Sequence, residues 1–470
     1  MSDQENTEVD PSRGSFGTRF GFLMAAAGSA VGLGNIWKFP YITGEYGGGA
    51  FVLVYLACIV IVGLPLMYAE LIIGRRGGSD VFGALRNLTA KSGSPAGAAV
   101  SSVAGIMAVL SGLFILSFYS VVAGWAVHFL GVSVGAIPAA PGGAGPTFTA
   151  LFESFEWSAT WHTVFMIITV VVVSGGINGG IEKICSRLMP GLIGILLLML
   201  VYVGVTGGLG DSLEFLFAPN FHKLSMEAVV EALGHAFFTL SLGMGAMVTY
   251  GSYLKSDRGI VRDGVTIALI DTGVALLAGT VIFAVVFAGG KEAGAGPGLV
   301  FVTLPDLFDS MPGGTVIAIA FFVLLIFAAL SSAISLLEVV VSFLVDRFGV
   351  SRKAAAAGLG VAIWGLGLLS ANSSLTFGIP GALSGFLGEG DKAMLDILDN
   401  LTTRVMLPLG GVLIAVTAGW LITKEDREAG FEHLERGPGY AKAWTFLIRF
   451  VAPVLVLFVL LVKAEFISLG

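Results

Sequence analysis

Apolar residues run along this chain in long blocks that are separated by short polar segments. A helix needs roughly 20 apolar residues to cross the ~30 Å hydrocarbon core of a bilayer. Eleven blocks approach or exceed this length, and we number them spans 1 to 11. In chain order they cover residues 16–42, 49–74, 99–130, 159–175, 186–208, 228–254, 264–290, 314–345, 354–371, 396–422 and 445–466. The pattern predicts an all-α integral membrane protein of about eleven transmembrane helices.

The charges between the blocks predict the orientation of the chain. With the N-terminus inside, the inner segments carry eighteen Lys and Arg residues, whereas the outer segments carry four: Lys223, Lys291, Lys392 and Lys463. Cytoplasmic loops are enriched in Lys and Arg. We therefore expect a multi-pass protein of the plasma (cytoplasmic) membrane with a cytoplasmic N-terminus.

Two outer segments differ from the other connections. Residues 131–158 lack Lys and Arg and are rich in Gly, Pro and Ala, which predicts a long external loop. Residues 294–314 include Leu307 and Phe308 and are apolar enough to fold back onto the helices. We expect this second segment to form an external lid.

Composition narrows the class of protein. The chain is 56% hydrophobic and 12% charged, against about 25% charged in soluble domains. The net charge is −7 and no basic patch stands out, so nucleic acid is not an expected partner. Cys58 and Cys185 lie in or beside apolar blocks and imply no disulfide framework or metal cluster. Residues 1–14 are polar and lack the features of a signal peptide, which predicts a cytoplasmic tail.

Spans 1 and 6 each contain two glycines at alternate positions, Gly32 with Gly34 and Gly243 with Gly245. Each glycine weakens a helix by about 1 kcal/mol. Unwound backbone at this depth is tolerated where it is buried in protein or lines a cavity. Close helix packing is the alternative explanation for either pair alone. Two such pairs in matching positions of inverted halves indicate a secondary-transporter site.

This reading divides the chain into three parts. Residues 15–425 form a core of two inverted five-helix repeats, about 15–208 and 228–422, with discontinuous helices in spans 1 and 6. Residues 426–470 form a cytoplasmic loop and span 11. An intramembrane protease is disfavoured, because the GEGD sequence at 388–391 lies in an outer loop and no HExxH occurs. The chain is therefore not expected to be an enzyme, and few spans show the polar stripe of a channel.

Longer motifs surround the glycines. They read GSAVGLGNIWKFP at 28–40, EYGGGAF at 45–51, GLPLM at 63–67 followed by Glu70, FFTLSLGMGA at 237–246 and ALSS at 329–332. In these motifs the chain strongly resembles the neurotransmitter:sodium symporter family, over nearly its whole length. The resemblance implies the leucine-transporter fold. Many members have twelve spans, and eleven is typical of some prokaryotic members.

The resemblance implies that a small zwitterionic amino acid binds at the break in span 1. Its carboxylate would meet free N–H groups at Gly32 and Gly34, at the positive end of a half-helix, and the hydroxyl of Tyr119. Its amine would meet carbonyls near Ala30, Phe238 and Thr239. The remaining substrate positions are Ile115, Ser241, Met244, Ser335 and Leu336. They are mostly apolar, which favours a neutral hydrophobic or aromatic substrate.

The resemblance also implies two sodium ions, which prefer hard oxygen ligands. We call the first group of ligands the Asp271 site: Ala30, Asn35, Thr239 and Asp271, with the substrate carboxylate. We call the second group the serine site: Gly28, Val31, Ala328, Ser331 and Ser332. Serines in membrane helices often bond only their own backbone, which is the alternative for Ser331 and Ser332.

Asp271 departs from the family pattern, in which Asn is common at this position. Chloride-independent relatives often carry Glu one turn later, where this chain has Ala275. We hypothesise that Asp271 supplies the fixed negative charge, so that no chloride is required. Return of the empty carrier then involves protonation of Asp271.

Two charged pairs match the family's gates. Lys38 and Asp399 form the outer pair, with Lys where Arg is more usual. Arg13 and Asp346 form the inner pair, although Arg13 could simply be a positive-inside anchor. Phe16 replaces the Trp that is usual beside it.

Four further polar groups lie inside predicted spans. Glu70 is expected to bind the backbone of the broken span 6. Glu338 and Arg404 are each expected to form a structural pair or to contact water. His235 is expected to be an ordinary hydrogen-bonded histidine or part of a proton path.

We therefore predict a sodium-coupled, chloride-independent symporter that imports a neutral amino acid by alternating access. A sodium-dependent solute sensor of the same fold is one alternative. A symporter of betaine, taurine or a similar amine or sulfonate is another.

Overall fold

The structure is a computed structural model that describes residues 14–255, 259–293, 296–432 and 437–468. Within these ranges, nine helices are long and apolar enough to cross a membrane, and they correspond to spans 2–5 and 7–11. They are Gly49–Gly77, Pro95–Ser133, Phe155–Ser174, Ile177–Thr206, Ile260–Ala288, Gly314–Phe348, Arg352–Ala371, Met394–Leu421 and Pro438–Lys463.

Span 1 is interrupted. It consists of the helices Arg19–Ala30 and Gly34–Glu45, which meet at an angle of 51° and together are apolar enough for a tenth span. The break begins at Val31, whose ψ of 107° is extended rather than helical. The second helix restarts with a π-helical turn, Gly34–Lys38. The glycines therefore mark the break as predicted.

Span 6 is interrupted more widely. Its halves, Met226–Thr239 and Ala246–Ser252, are separated by a turn at residues 240–245. Ser241, Gly243 and Gly245 all have positive φ in or beside this turn. A Cβ on Gly243 would lie 2.5 Å from the carbonyl oxygen of Leu407, so the close approach of span 10 also requires glycine. The predicted all-α membrane fold with interrupted spans 1 and 6 is confirmed.

The interrupted spans lie in the centre of the helix bundle. Arg19–Ala30 packs against spans 5, 7 and 8, and spans 3 and 8 pack along each other. All residues from Gly21 to Ala30 are buried. Since both breaks are enclosed by other spans, the free backbone groups face protein or a cavity rather than lipid.

The outer segments are more structured than the sequence suggested. The segment 131–158, predicted as a long external loop, contains the helix Ala144–Glu153, which the sequence pattern did not predict. The helix packs inward through Ala144, Thr147 and Leu151, which are buried. These buried residues lie on one face of the helix, and their packing stabilises it although the segment is rich in Gly and Pro.

The second outer segment folds back onto the bundle, as predicted. Phe301, Leu304, Leu307 and Phe308 are buried, and the Phe301 ring contacts that of Trp37 at 6.0 Å. Its role as a lid stays a prediction.

Shorter elements complete the described chain. The helices Val81–Lys91, Leu209–Phe217, Thr303–Ser310 and Lys424–Glu428 connect the spans. Two short strands, Thr376–Gly378 and Asp391–Ala393, pair antiparallel between spans 9 and 10. The division into two inverted repeats stays a prediction.

Candidate substrate and sodium sites

A cavity lies at the two breaks, where spans 1, 3, 6 and 8 meet. It is lined by all eleven residues predicted to bind substrate and by Ser29, Leu33 and Ser332; the predicted ones are Ala30, Gly32, Gly34, Ile115, Tyr119, Phe238, Thr239, Ser241, Met244, Ser335 and Leu336. The tertiary structure thus brings together residues that are spread over more than half of the sequence.

One end of this cavity is rich in hydrogen-bond donors and acceptors. The N–H of Leu33 donates to the hydroxyl oxygen of Tyr119 at 3.3 Å. A Cβ on Gly32 would lie 2.6 Å from Ser332 Oγ and 3.1 Å from the Tyr119 hydroxyl. Glycine therefore leaves room between the break in span 1 and these two hydroxyl groups, which suits an anionic group at the start of a half-helix.

The other surfaces of the cavity are mainly apolar. Ile115, Phe238, Met244 and Leu336 contribute carbon-rich side chains, and three of them are buried. A flexible methionine can adapt to side chains of different shape. The cavity thus combines a polar end with an apolar compartment.

The side chains of the Asp271 site form one buried network. Asn35 Nδ2 donates to Asp271 Oδ1 at 2.7 Å and to Thr239 Oγ1 at 3.0 Å. Thr239 Oγ1 donates to Asp271 Oδ1 at 3.0 Å. All three residues are buried. The network therefore concentrates hard oxygen atoms beside the cavity, as the resemblance implied for a sodium site.

Asp271 has no basic partner in the described part of the chain. Its side chain is fully buried, and no Lys, Arg or His lies within ion-pair distance of it. A buried charge of this kind needs a counter-charge or a proton, because its desolvation is costly. A cation between Asp271 and the cavity would supply that counter-charge.

The serine site is made of neutral oxygen atoms. Ser332 Oγ lies 3.3 Å from the carbonyl oxygen of Gly28 and 3.2 Å from that of Val31. Ser331 Oγ lies 3.0 Å from the carbonyl oxygen of Ala328 and 3.5 Å from that of Val31. The Ser331 hydroxyl thus bonds mainly to its own helix and approaches span 1 only at Val31. Among the described residues, the only carbonyls that the Ser332 hydroxyl bonds lie at the break in span 1, so the own-backbone alternative does not describe Ser332.

Phe238 separates the central cavity from an outer one. It lines the central cavity and also an apolar cavity shared by spans 6, 10 and 11. Lys38 stands above it, with Nζ 5.3 Å from the ring centroid. Phe238 is thus the residue that the two cavities share in their linings.

The two residues of the predicted outer pair, Lys38 and Asp399, lie near each other but form no ion pair. Lys38 and Asp399 both line a second outer cavity, formed by spans 1, 6, 10 and 11 and not reached by Phe238, but they form no ion pair within 4.0 Å. The formed pair is Lys463 Nζ with Glu231 Oε1 at 2.6 Å, which joins span 11 to the outer half of span 6. Nothing in the sequence indicates this second pair beyond two charges near the outer ends of spans.

The inner side is held by several contacts. The N–H groups of Gly17 and Thr18 donate to Glu182 at 2.8 and 3.0 Å. Phe16 packs against Tyr253, and the Tyr253 hydroxyl donates to the buried Glu338 at 2.6 Å.

Glu338 also pairs with Arg352, which confirms the structural pairing expected for it. Arg13 of the predicted inner pair lies outside the described residues. Asp346 Oδ2 accepts a hydrogen bond from the N–H of Asp80 at 2.7 Å.

Three other polar expectations have clear outcomes. Glu70 Oε1 accepts from the N–H of Gly243 at 2.7 Å, which confirms its role at the break in span 6. Arg404 pairs with Glu465 at 3.2 Å, as expected for a structural pair. His235 lies between Phe39 and Tyr55, and neither ring nitrogen has a hydrogen-bond partner among the described residues. The described protein thus supplies no hydrogen bond to the His235 ring, and the part of His235 in a proton path stays a prediction.

The chain matches a known protein family and several of its members over nearly its whole length. The model of the Sodium:neurotransmitter symporter family matches residues 13–139 and 153–468. The Bacillus subtilis protein YhdH, described as an uncharacterized sodium-dependent transporter, is 35% identical over 453 residues, covering 94% of this chain and 96% of that protein. An uncharacterized sodium-dependent transporter of Haemophilus influenzae is 29% identical, covering 96% of this chain and 98% of its own length.

A solved structure also resembles this chain in sequence and in fold. The crystal structure of MhsT in complex with L-phenylalanine is 42% identical in sequence and superimposes with a TM-score of 0.84. The match covers 96% of this chain and all of the MhsT chain. The broken spans and the cavity between them therefore belong to a fold that has been observed experimentally.

Proposed function

Because the chain belongs to the sodium:neurotransmitter symporter family, we propose that it couples sodium entry to the import of a neutral, hydrophobic or aromatic amino acid. Sodium-coupled transport follows from the family. The observation that carries the finer proposal is the buried Asp271 carboxylate, which bonds Thr239 at the wall of the central cavity and has no basic partner in the described chain.

The substrate carboxylate is assigned to the break in span 1. Gly32, Gly34 and the Tyr119 hydroxyl surround that end of the cavity. The amine is assigned to the carbonyl groups around Ala30, Phe238 and Thr239. A zwitterion then has a partner for each charge, which a low-dielectric site requires.

The substrate side chain is assigned to the apolar compartment. Ile115, Met244 and Leu336 are buried there, and Phe238 forms its outer wall. The MhsT structure contains L-phenylalanine, which supports a large apolar side chain. Ser241 and Ser335 add two hydroxyls, which donate to the carbonyl oxygens of Ser29 and Ser332.

Two sodium ions are assigned to the Asp271 site and the serine site. At the first, Ala30, Asn35, Thr239, Asp271 and the substrate carboxylate would share the ion, which links ion and substrate directly. At the second, carbonyls of Gly28, Val31 and Ala328 with the Ser331 and Ser332 hydroxyls would hold the other. A tenfold gradient gives ~1.4 kcal/mol and 100 mV ~2.3 kcal/mol per ion, so two ions provide about 7 kcal/mol.

Chloride is not required in this proposal, because Asp271 carries the negative charge that a bound anion would otherwise supply. The Lys463–Glu231 pair, the nearby Lys38 and Asp399, and the inner contacts of Phe16 and Tyr253 would open alternately. The excess of Lys and Arg in the inner segments supports a cytoplasmic N-terminus in the plasma membrane.

The test is uptake of a labelled neutral amino-acid mixture into proteoliposomes, with sodium or choline and with chloride or gluconate. Uptake that needs sodium and ignores chloride is expected. A requirement for chloride would refute the role of Asp271. Sodium-dependent binding without uptake would identify a sensor, and competition by betaine or taurine alone would move the substrate to that class.

A further inference from the structure

Two arginines meet at the inner end of spans 10 and 11. Arg427 NH1 and Arg449 Nε both donate to the carbonyl oxygen of Gly419, at 2.9 and 2.6 Å. A Cβ on Gly419 would lie 2.9 Å from Arg449 Cγ, so glycine allows the stem of Arg449 to cross the end of span 10. One backbone oxygen thus holds two guanidinium groups side by side.

Neither guanidinium is neutralised within the described part of the chain. No carboxylate lies within 4.0 Å of Arg427 or Arg449. The contrast with nearby basic groups is clear, because Arg76 and Lys91 both pair with Asp426. Each guanidinium carries five N–H donors, and a shared carbonyl uses few of them. Arg427 is buried, with 7% exposure, whereas Arg449 is partly exposed. Two adjacent positive charges without a carboxylate partner favour an anion, and Arg449 offers it the more accessible guanidinium.

The surface beside the arginines is aromatic and exposed. The Arg449 guanidinium lies 4.8 Å from the centre of the Trp420 ring, and Phe450 contacts the other part of Trp420 at 5.5 Å. Trp420 is 52% exposed and Phe450 is 50% exposed. Exposed tryptophan at the end of a span is typical of the membrane interface, at the level of the lipid headgroups.

An apolar stripe continues from this point along span 11. Phe446, Phe450, Val454 and Leu457 are all exposed, and their spacing places them on one face of the helix. From Phe450 to Leu457 the stripe follows span 11 from Arg449 towards the C-terminal end of that helix. An exposed apolar face of this kind suits an acyl chain.

We propose that Arg427 and Arg449 bind the phosphate of an anionic phospholipid whose acyl chain lies along the Phe450–Val454–Leu457 face. Arginine binds phosphate through paired N–H donors, and basic pockets between transmembrane helices bind anionic headgroups. The aromatic ring of Trp420 fixes the orientation of Arg449. This site is separate from the central cavity and does not depend on which amino acid is transported.

The test uses the full-length protein in mixed micelles that contain equal amounts of dioleoyl phosphatidylglycerol and dioleoyl phosphatidylcholine. Native mass spectrometry counts the lipids that remain bound. We expect the wild-type protein to retain phosphatidylglycerol in preference to phosphatidylcholine, and Arg449→Gln to lower this preference about fivefold. Arg449→Lys keeps the charge but loses the paired donors, so an intermediate preference is expected.

Lys442→Gln is the matched control, since Lys442 is an exposed basic residue two turns away on the same helix. It should leave the preference unchanged, and thermal unfolding in phosphatidylcholine should show that both variants are folded. Equal preference in wild type and Arg449→Gln would overturn the proposal, as would an equal loss in Lys442→Gln. Displacement of the lipid by excess inorganic phosphate would assign the site to free phosphate instead.

Discussion

The Asp271 site and the serine site lie on opposite sides of the same break in span 1, yet they are built differently. In the Asp271 site, side chains bond to side chains, and Asn35, Thr239 and Asp271 fix one another. In the serine site, hydroxyls approach backbone carbonyls of Gly28 and Val31. The first site therefore depends on side-chain charge, whereas the second depends mainly on the path of the backbone.

This difference has an energetic consequence. A hydrogen bond or ligand contact to a charged group contributes about 1.5–3 kcal/mol, and one between neutral groups about 1 kcal/mol. Substitution should therefore have a larger effect at Asp271 than at Ser332. Substitution of Asp271 should also make uptake respond to chloride. Substitution of Ser332 should not, since the serine site has no charge that chloride could replace.

The largest effect is expected for Asp271→Asn. Loss of the carboxylate should lower sodium-dependent uptake in gluconate by about 100-fold, and added chloride should restore part of it. Uptake by proteoliposomes with each anion measures the change. Glu338→Gln is the matched control, because it also neutralises a buried carboxylate but one that pairs with Arg352. If both variants respond to chloride alike, Asp271 has no special role.

A smaller effect is expected for Tyr119→Phe. The Tyr119 hydroxyl is proposed to bind the substrate carboxylate, which is also a ligand of the Asp271 site. Loss of the hydroxyl should raise the substrate KM about tenfold, because a charge-assisted hydrogen bond to the substrate carboxylate is lost. The maximal rate should change little. Tyr250→Phe provides the control, since the buried Tyr250 hydroxyl has no hydrogen-bond partner among the described residues. An unchanged KM in Tyr119→Phe would remove the hydroxyl from the substrate site.

Next in size is Ser332→Ala at the serine site. The sodium concentration for half-maximal uptake should rise about fivefold, with no new response to chloride. Ser342→Ala is the control on the same helix, because among the described residues its hydroxyl bonds only the Val339 carbonyl of its own helix, at 3.0 Å. Equal sodium curves for the two variants would show that the serine site does not hold an ion.

The smallest effect is expected outside both sites, at Lys463→Met. Breaking the pair with Glu231 should change the uptake rate by less than about fivefold, since partly exposed ion pairs contribute about 1 kcal/mol or less. The sodium requirement should stay the same, and Glu231→Gln added to Lys463→Met should restore part of the rate. A changed sodium requirement would connect the outer cavity to the ion sites.

Much of the site could be predicted, because family motifs contain most of its residues. The motifs at 28–40 and 237–246 include Ala30, Gly32, Phe238 and Thr239, and all line the cavity. Other contacts have no local signal. Lys463 and Glu231 are 232 residues apart and meet only when span 11 packs on span 6. His235 resembles any polar residue in a span, and only the packing of Phe39 and Tyr55 leaves its nitrogens without partners.

Hydropathy along the sequence predicts the membrane-spanning segments, and glycine predicts the breaks in spans 1 and 6, because both properties act over a few neighbouring residues. The tertiary structure decided which oxygen atoms meet. Asn35 and Asp271 are 236 residues apart, and Ser332 is 301 residues from Val31. Such contacts depend on how whole helices pack, since an oxygen a few ångströms further away is no longer a ligand.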